Sequence, residues 1–85
     1  MFTPHQVHLQ NGKETLTRII SVEPSRNGKF VVRVLYAREY PSNYIGVRPS
    51  GGGNVDTFIC DTEQQADERA ASLLQESLDQ GYLLV

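Results

Sequence analysis

Eighty-five residues suffice for one small domain and are too few for two, so 1–85 reads as a single unit with a thin stability margin. With 39% hydrophobic and 21% charged residues and no long polar tract, the composition excludes a disordered chain. The formal net charge of −2 is far from the strongly basic balance of dedicated nucleic-acid binders.

The single cysteine, Cys60, excludes an internal disulfide, and a small secreted domain would ordinarily need such staples. A cytoplasmic protein is therefore expected. The opening "MFTPHQVHLQNGK" has no basic n-region and no apolar h-region, so it does not read as a signal peptide. No apolar run is long enough to span a membrane. The charge is unevenly distributed: residues 1–60 carry seven Lys/Arg against four Asp/Glu, and residues 61–85 carry one against six. A mildly basic sheet and an acidic helix are the expected surfaces.

The chain opens as strand, turn, strand. Asn11-Gly12 is a two-residue hairpin signal, because both residues tolerate positive φ. On the second strand Leu16, Ile20 and Val22 share one side, and Arg18 interrupts their apolar pattern. Ile19 sits on the other side, so both faces are expected to be partly covered. "PSRNG" (24–28) is a second turn cluster. "KFVVRVLYARE" follows, and its β-branched and aromatic content predicts a central strand in a long antiparallel hairpin. "YPSNYIGVRPSGGGN" (40–54) is irregular, with a short strand possible over 44–48. "VDTFIC" (55–60) reads as a further strand, with Phe58 and Cys60 on one side and Val55, Thr57 and Ile59 on the other.

Helix signals dominate the rest. Asp61 and Thr62 are both good N-caps, and each has a glutamine three residues later, as a capping box requires. Ala66, Ala70, Leu73, Leu74 and Leu78 then form one apolar stripe. Gly81 ends the helix, and "YLLV" can return to the sheet as a short edge strand. The expected fold is α+β: an antiparallel sheet of four to five strands with one C-terminal amphipathic helix packed on one face.

Motifs for chemistry are sparse. The glycines of "RPSGGGN" precede a strand rather than a helix, and no lysine follows, so the phosphate-loop spacing fails. Gly51, Gly52 and Gly53 read instead as a flexible connection that lets backbone approach a ligand. His5 and His8 are three apart on a strand and point to opposite faces, a poor metal pair. No constellation recommends an enzyme, and no cofactor or metal is expected. The middle of the chain is more suggestive: Tyr36, Arg38, Tyr40, Tyr44 and Arg48 fall close together. Arginines contact phosphates and tyrosines stack on bases. The same residue types anchor protein interfaces.

From residue 17 to residue 83 the chain resembles the WGR domain family. The resemblance rests on a strong strand ending in Tyr36-Ala37-Arg38, where the family has Trp-Gly-Arg, and on a glycine-containing irregular segment over 45–54. A strand bearing Phe58, an acidic alanine-containing helix and Gly81-Tyr82 at the helix end complete it. Of the three signature residues only Arg38 matches, and the helix end lacks the family's basic residues. The resemblance implies a sheet crossed by a helix and a nucleic-acid-binding role, with Tyr36 and Arg38 in signature positions.

Two readings of function follow. In the first, a non-enzymatic module binds DNA or RNA through Arg33, Arg38, Tyr40, Tyr44 and Arg48. In the second, a small protein–protein adaptor or inhibitor of bacterial, phage or plasmid origin acts through its acidic helix or a sheet edge, with homodimerisation as a variant. Geometry separates them. Arginines converging on one concave face favour nucleic acid; arginines scattered, or paired with Glu23 and Glu39, favour a protein partner.

Overall fold

In the computed structural model, residues 1–39 and 54–85 are described. They form strands β1 (His5–Asn11), β2 (Glu14–Pro24), β3 (Phe30–Glu39) and β4 (Asn54–Cys60), helix α1 (Glu63–Asp79) and a two-residue strand β5 (Leu83–Leu84). The order across the sheet is β4-β3-β2-β1-β5, and every neighbouring pair is antiparallel. The expected α+β architecture holds, with five strands.

Turn chemistry sets the register. In the first hairpin Asn11 pairs with Glu14, so the loop is Gly12-Lys13, one residue later than the Asn11-Gly12 expected. Gly12 takes φ 63° as the first loop residue, the position where a Gly-first hairpin turn demands positive φ. The second hairpin closes through a short 3₁₀ turn, Arg26–Gly28. Asn27 and Gly28 both take positive φ there, at 60° and 71°, and asparagine and glycine are the residues that tolerate it. Ser25 N–H donates to the Lys29 carbonyl at 2.8 Å across the turn.

The helix starts at Thr62. Its hydroxyl accepts from Gln65 N–H at 3.1 Å, while the Gln65 side chain accepts from Asp61 N–H at 3.1 Å. Of the two capping pairs legible in the sequence, Thr62 with Gln65 is the one used. Lys29 Nζ meets Asp61 Oδ1 at 2.6 Å and ties the start of β3 to the approach to the helix. That hydrogen bond and charge hold the Asp61 carboxyl below its ordinary range.

The helix ends in a full Schellman motif: Tyr82 N–H donates to Ser77 O at 3.1 Å and Gly81 N–H to Leu78 O at 3.0 Å. Gly81 sits at φ 100°, which demands glycine. Space is not the constraint, since a Cβ there would meet only the Leu9 Cδ1 at 3.6 Å. The reversal carries Leu83 and Leu84 back to pair with His8 and Val7.

The core lies between α1 and one face of the sheet. Ile20, Val22, Val32 and Val34 are buried in one cluster with Ala66 and Ala70, Phe30, Phe58, Cys60, Leu73 and Leu74 are partly buried around them, and Val7 of β1 is fully buried as well. The apolar stripe of the helix is used unevenly. Its deepest positions are the alanines and Ser77, and the leucines lie at the margins. Small side chains let the helix approach the β-branched residues of β2 and β3 closely. Cys60 is a half-buried thiol in this cluster, as its apolar strand position implies.

Ile20 is fully buried. Ile20→Ala is expected to lower the unfolding free energy by about 2–5 kcal/mol in chemical denaturation. Ala70→Leu, which forces the helix off the sheet, is expected to cost about 1–3 kcal/mol. Unchanged denaturation midpoints would contradict this placement of the helix.

Candidate functional site

Arg33 and Arg38 are five residues apart on β3 and therefore lie on opposite faces of the sheet. Arg33 is exposed on the face away from the helix, and its Nε lies 3.5 Å from Glu23 Oε2. Arg38 is exposed on the helix-side face, opposite Leu16 near the end of β3. Tyr36 shares that face but sits in a cleft against the helix. Tyr40, Tyr44, Arg48 and Gly51, Gly52 and Gly53 lie outside the described residues, as does the short strand considered for 44–48. The two predicted arginines that are described do not form one surface.

Two other features stand out. The first is the face the helix leaves uncovered. Cross-strand register lines up Ile19, Leu35 and Val55 in one row, and Val31 and Ile59 in another, with Glu23 beside them. Between the rows lie Ser21, Arg33 and Thr57. Ile59 is 66% exposed, Val55 52% and Leu35 38%. The expectation that both faces are partly covered holds: on this face Thr17 is buried and Ile19 and Val31 are half-buried, whereas Leu35, Val55 and Ile59 stay exposed. Monomeric proteins seldom leave contiguous apolar surface of this kind without a use for it.

The second feature is the joint where the helix C-terminus meets the sheet. Arg18 projects from β2 toward the last turns of α1. Its guanidinium lies 4.3 Å from the Tyr82 ring centroid and 5.5 Å from that of Tyr36, and Nη1 donates to Ser77 Oγ at 3.0 Å. Nε is buried with no hydrogen-bond partner. A cleft of about 230 Å³ opens beside it, walled by Arg18, Tyr36, Glu76 and Gln80 over Ile20 and Val34. The last turn of the helix has no basic residue of its own. Arg18 supplies that positive charge from the sheet, where the helix dipole favours it.

Two aromatic rings cover the Arg18 guanidinium, and Glu76 lines the same cleft. Burial raises the Tyr36 phenol above its ordinary value, and the hydrogen-bonded Asp56 carboxylate adds to the rise, against the opposing pull of Arg18. The hydroxyl in the cleft, Ser77 Oγ, donates to the Leu73 carbonyl at 3.0 Å while accepting from Arg18, so it is not poised as a nucleophile. Among the described residues, no group of three His, Cys, Asp or Glu side chains is placed to hold a metal ion. No helix among them is long and apolar enough to cross a membrane.

No family model matches the chain, and no curated protein or solved structure matches it. Sequence reasoning passed over Arg18 as a break in an apolar pattern, and that break was its signal. The open face had a signal too: apolar residues on both sides of β3 and β4, against a single helix to cover them.

Arg18→Lys keeps the charge but loses the planar group that lies between the tyrosines. It is expected to destabilise the fold by about 1–2 kcal/mol. Ser77→Ala should cost about 0.5–1.5 kcal/mol, and the double variant should cost less than the sum because the two share a bond. Tyr36 adds a pH dependence. Its folded-state value lies above 10.0, so its contribution is complete below that pH and is lost as pH rises through the folded value. Tyr36→Phe should flatten the alkaline fall in stability, measured by denaturation at a series of pH values above neutrality.

Proposed function

We propose that this chain is a non-enzymatic protein-interaction module that docks partners on the face of its sheet opposite the helix. One observation carries the reading: Leu35, Val55 and Ile59 are exposed on that face and aligned in register with Ile19 and Val31. Covering the exposed half of each such side chain is worth on the order of 1 kcal/mol. Interface centres are apolar and depleted in charge, with polar residues at the rim. This face departs from that pattern in carrying Arg33 between its aliphatic rows, but Glu23 offsets the charge and the neighbouring Ser21 and Thr57 are short.

The nucleic-acid reading draws less support from the described residues. Phosphate recognition needs cations tracking one surface. Arg33 and Arg38 face opposite ways, Arg33 is paired with a carboxylate, and Arg18 is enclosed by tyrosines. The acidic helix further opposes a polyanion.

Immobilised full-length chain in nuclease-treated lysate of the source organism is expected to retain a discrete protein that the Ile59→Lys variant releases. Retention of the same protein by the variant would overturn the reading. So would a salt-sensitive complex with DNA or RNA in gel-shift titration that Arg33→Ala or Arg38→Ala weakens.

A further inference from the structure

We infer that the occupant of the open sheet face is a second copy of this chain, the two sheets packing face to face across a two-fold axis. The inference rests on the proposal that this face docks protein, and it names the partner.

Area is the first argument. The strands carrying the face run from seven to eleven residues. At about 3.3 Å per residue, with four strands about 4.8 Å apart, the face measures roughly 20 by 30 Å. That is about 600 Å² before side-chain corrugation is counted. A standard stable interface buries about 800 Å² on each side. The whole face, used once, is therefore about the size one dimer contact requires.

Charge is the second argument. The segment 61–85, which contains α1, holds six Asp/Glu and one Arg. Contact through the helices would set two acidic surfaces against each other. Sheet-to-sheet contact puts the helices on the outside of a four-layer assembly. With layers about 10 Å apart, the helix axes are roughly 30 Å from each other, well beyond the screening length of about 8 Å at physiological salt. The contacting face, in contrast, carries Arg33 between its aliphatic rows and Glu23 close by at the hairpin end, with Glu39 at the opposite end. A two-fold axis presents the same patch on both copies. A patch holding both signs side by side can exchange its ion pairs with its own image, whereas a patch of one sign would repel it.

Chemistry is the third argument. The rows of Val31 with Ile59, and of Ile19, Leu35 and Val55, are aliphatic and mostly β-branched. Such side chains interdigitate in aligned sheet packings. The intervening Ser21 and Thr57 are short enough not to hold the sheets apart.

Sedimentation equilibrium of the full chain over a concentration series tests this. Wild type is expected to show a reversible monomer–dimer equilibrium. Ile59→Lys and Val55→Lys, both at exposed positions, are expected to weaken it at least about tenfold while leaving the thermal midpoint of the dilute protein unchanged. Arg33→Glu should weaken it through like charges, and Arg33→Glu combined with Glu23→Arg should restore it. A monomer at every concentration overturns the inference, as does a dimer that neither lysine variant weakens. Were that monomer still to capture a protein lost on Ile59→Lys, the docking proposal would stand and only the self-association would fall. Were it to capture nothing, both would fall.

Discussion

A single helix can cover only one face of a sheet, and the described residues form five strands and one helix of 17 residues. The rest of the structure follows from that mismatch. The covered face gathers the fully buried aliphatics of β1, β2 and β3. The other face keeps a set of aliphatic side chains that no described element reaches. A domain of this size has little core to spare, so leaving Leu35, Val55 and Ile59 in water forgoes a meaningful part of the available burial. Such a cost is sustained where the surface serves another contact.

The covered face is organised around the C-terminal joint of the helix. Gly81 turns the chain through a left-handed residue, which buries Tyr82 and starts the two-residue strand beside β1. Tyr82 then lies against Arg18, and Arg18 bonds Ser77 in the last turns of the helix. One charged side chain thus links β2, the helix end and the chain reversal. A half-buried arginine in an otherwise aliphatic core would be unfavourable alone. Here two aromatic faces, a hydroxyl and the negative end of the helix surround it, and that enclosure makes it a structural joint.

The two faces also divide the charge. Acidic side chains collect on the segment that forms the helix, and the open face carries a matched Arg33–Glu23 pair among aliphatic and hydroxyl side chains. The proposed docking of a protein rests on the apolar character of the sheet side. Tyrosine and arginine content alone pointed as readily to nucleic acid. The alternation of a strand separates residues an odd number apart, and that geometry placed Arg33 and Arg38 on different surfaces.

Local interactions made much of the fold legible in the sequence. Thr62 with Gln65, Gly81, the turn residues around Gly12 and Gly28, and the alternation of "KFVVRVLY" each act within a few residues, so their effect can be read along the chain. They determined the strands, the helix and its ends, and the α+β class. Hairpin register was legible only to within one residue, because Asn11 and Gly12 both suit a turn and only pairing of the whole strand selects Gly12-Lys13. The tertiary structure alone decided which aliphatic residues the helix covers, that its alanines rather than its leucines make the closest approach, and that Arg18 joins Tyr36, Tyr82 and Ser77. Those outcomes depend on residues far apart in the chain meeting across a sheet, and the energy of such meetings is set by packing and enclosure rather than by any local preference.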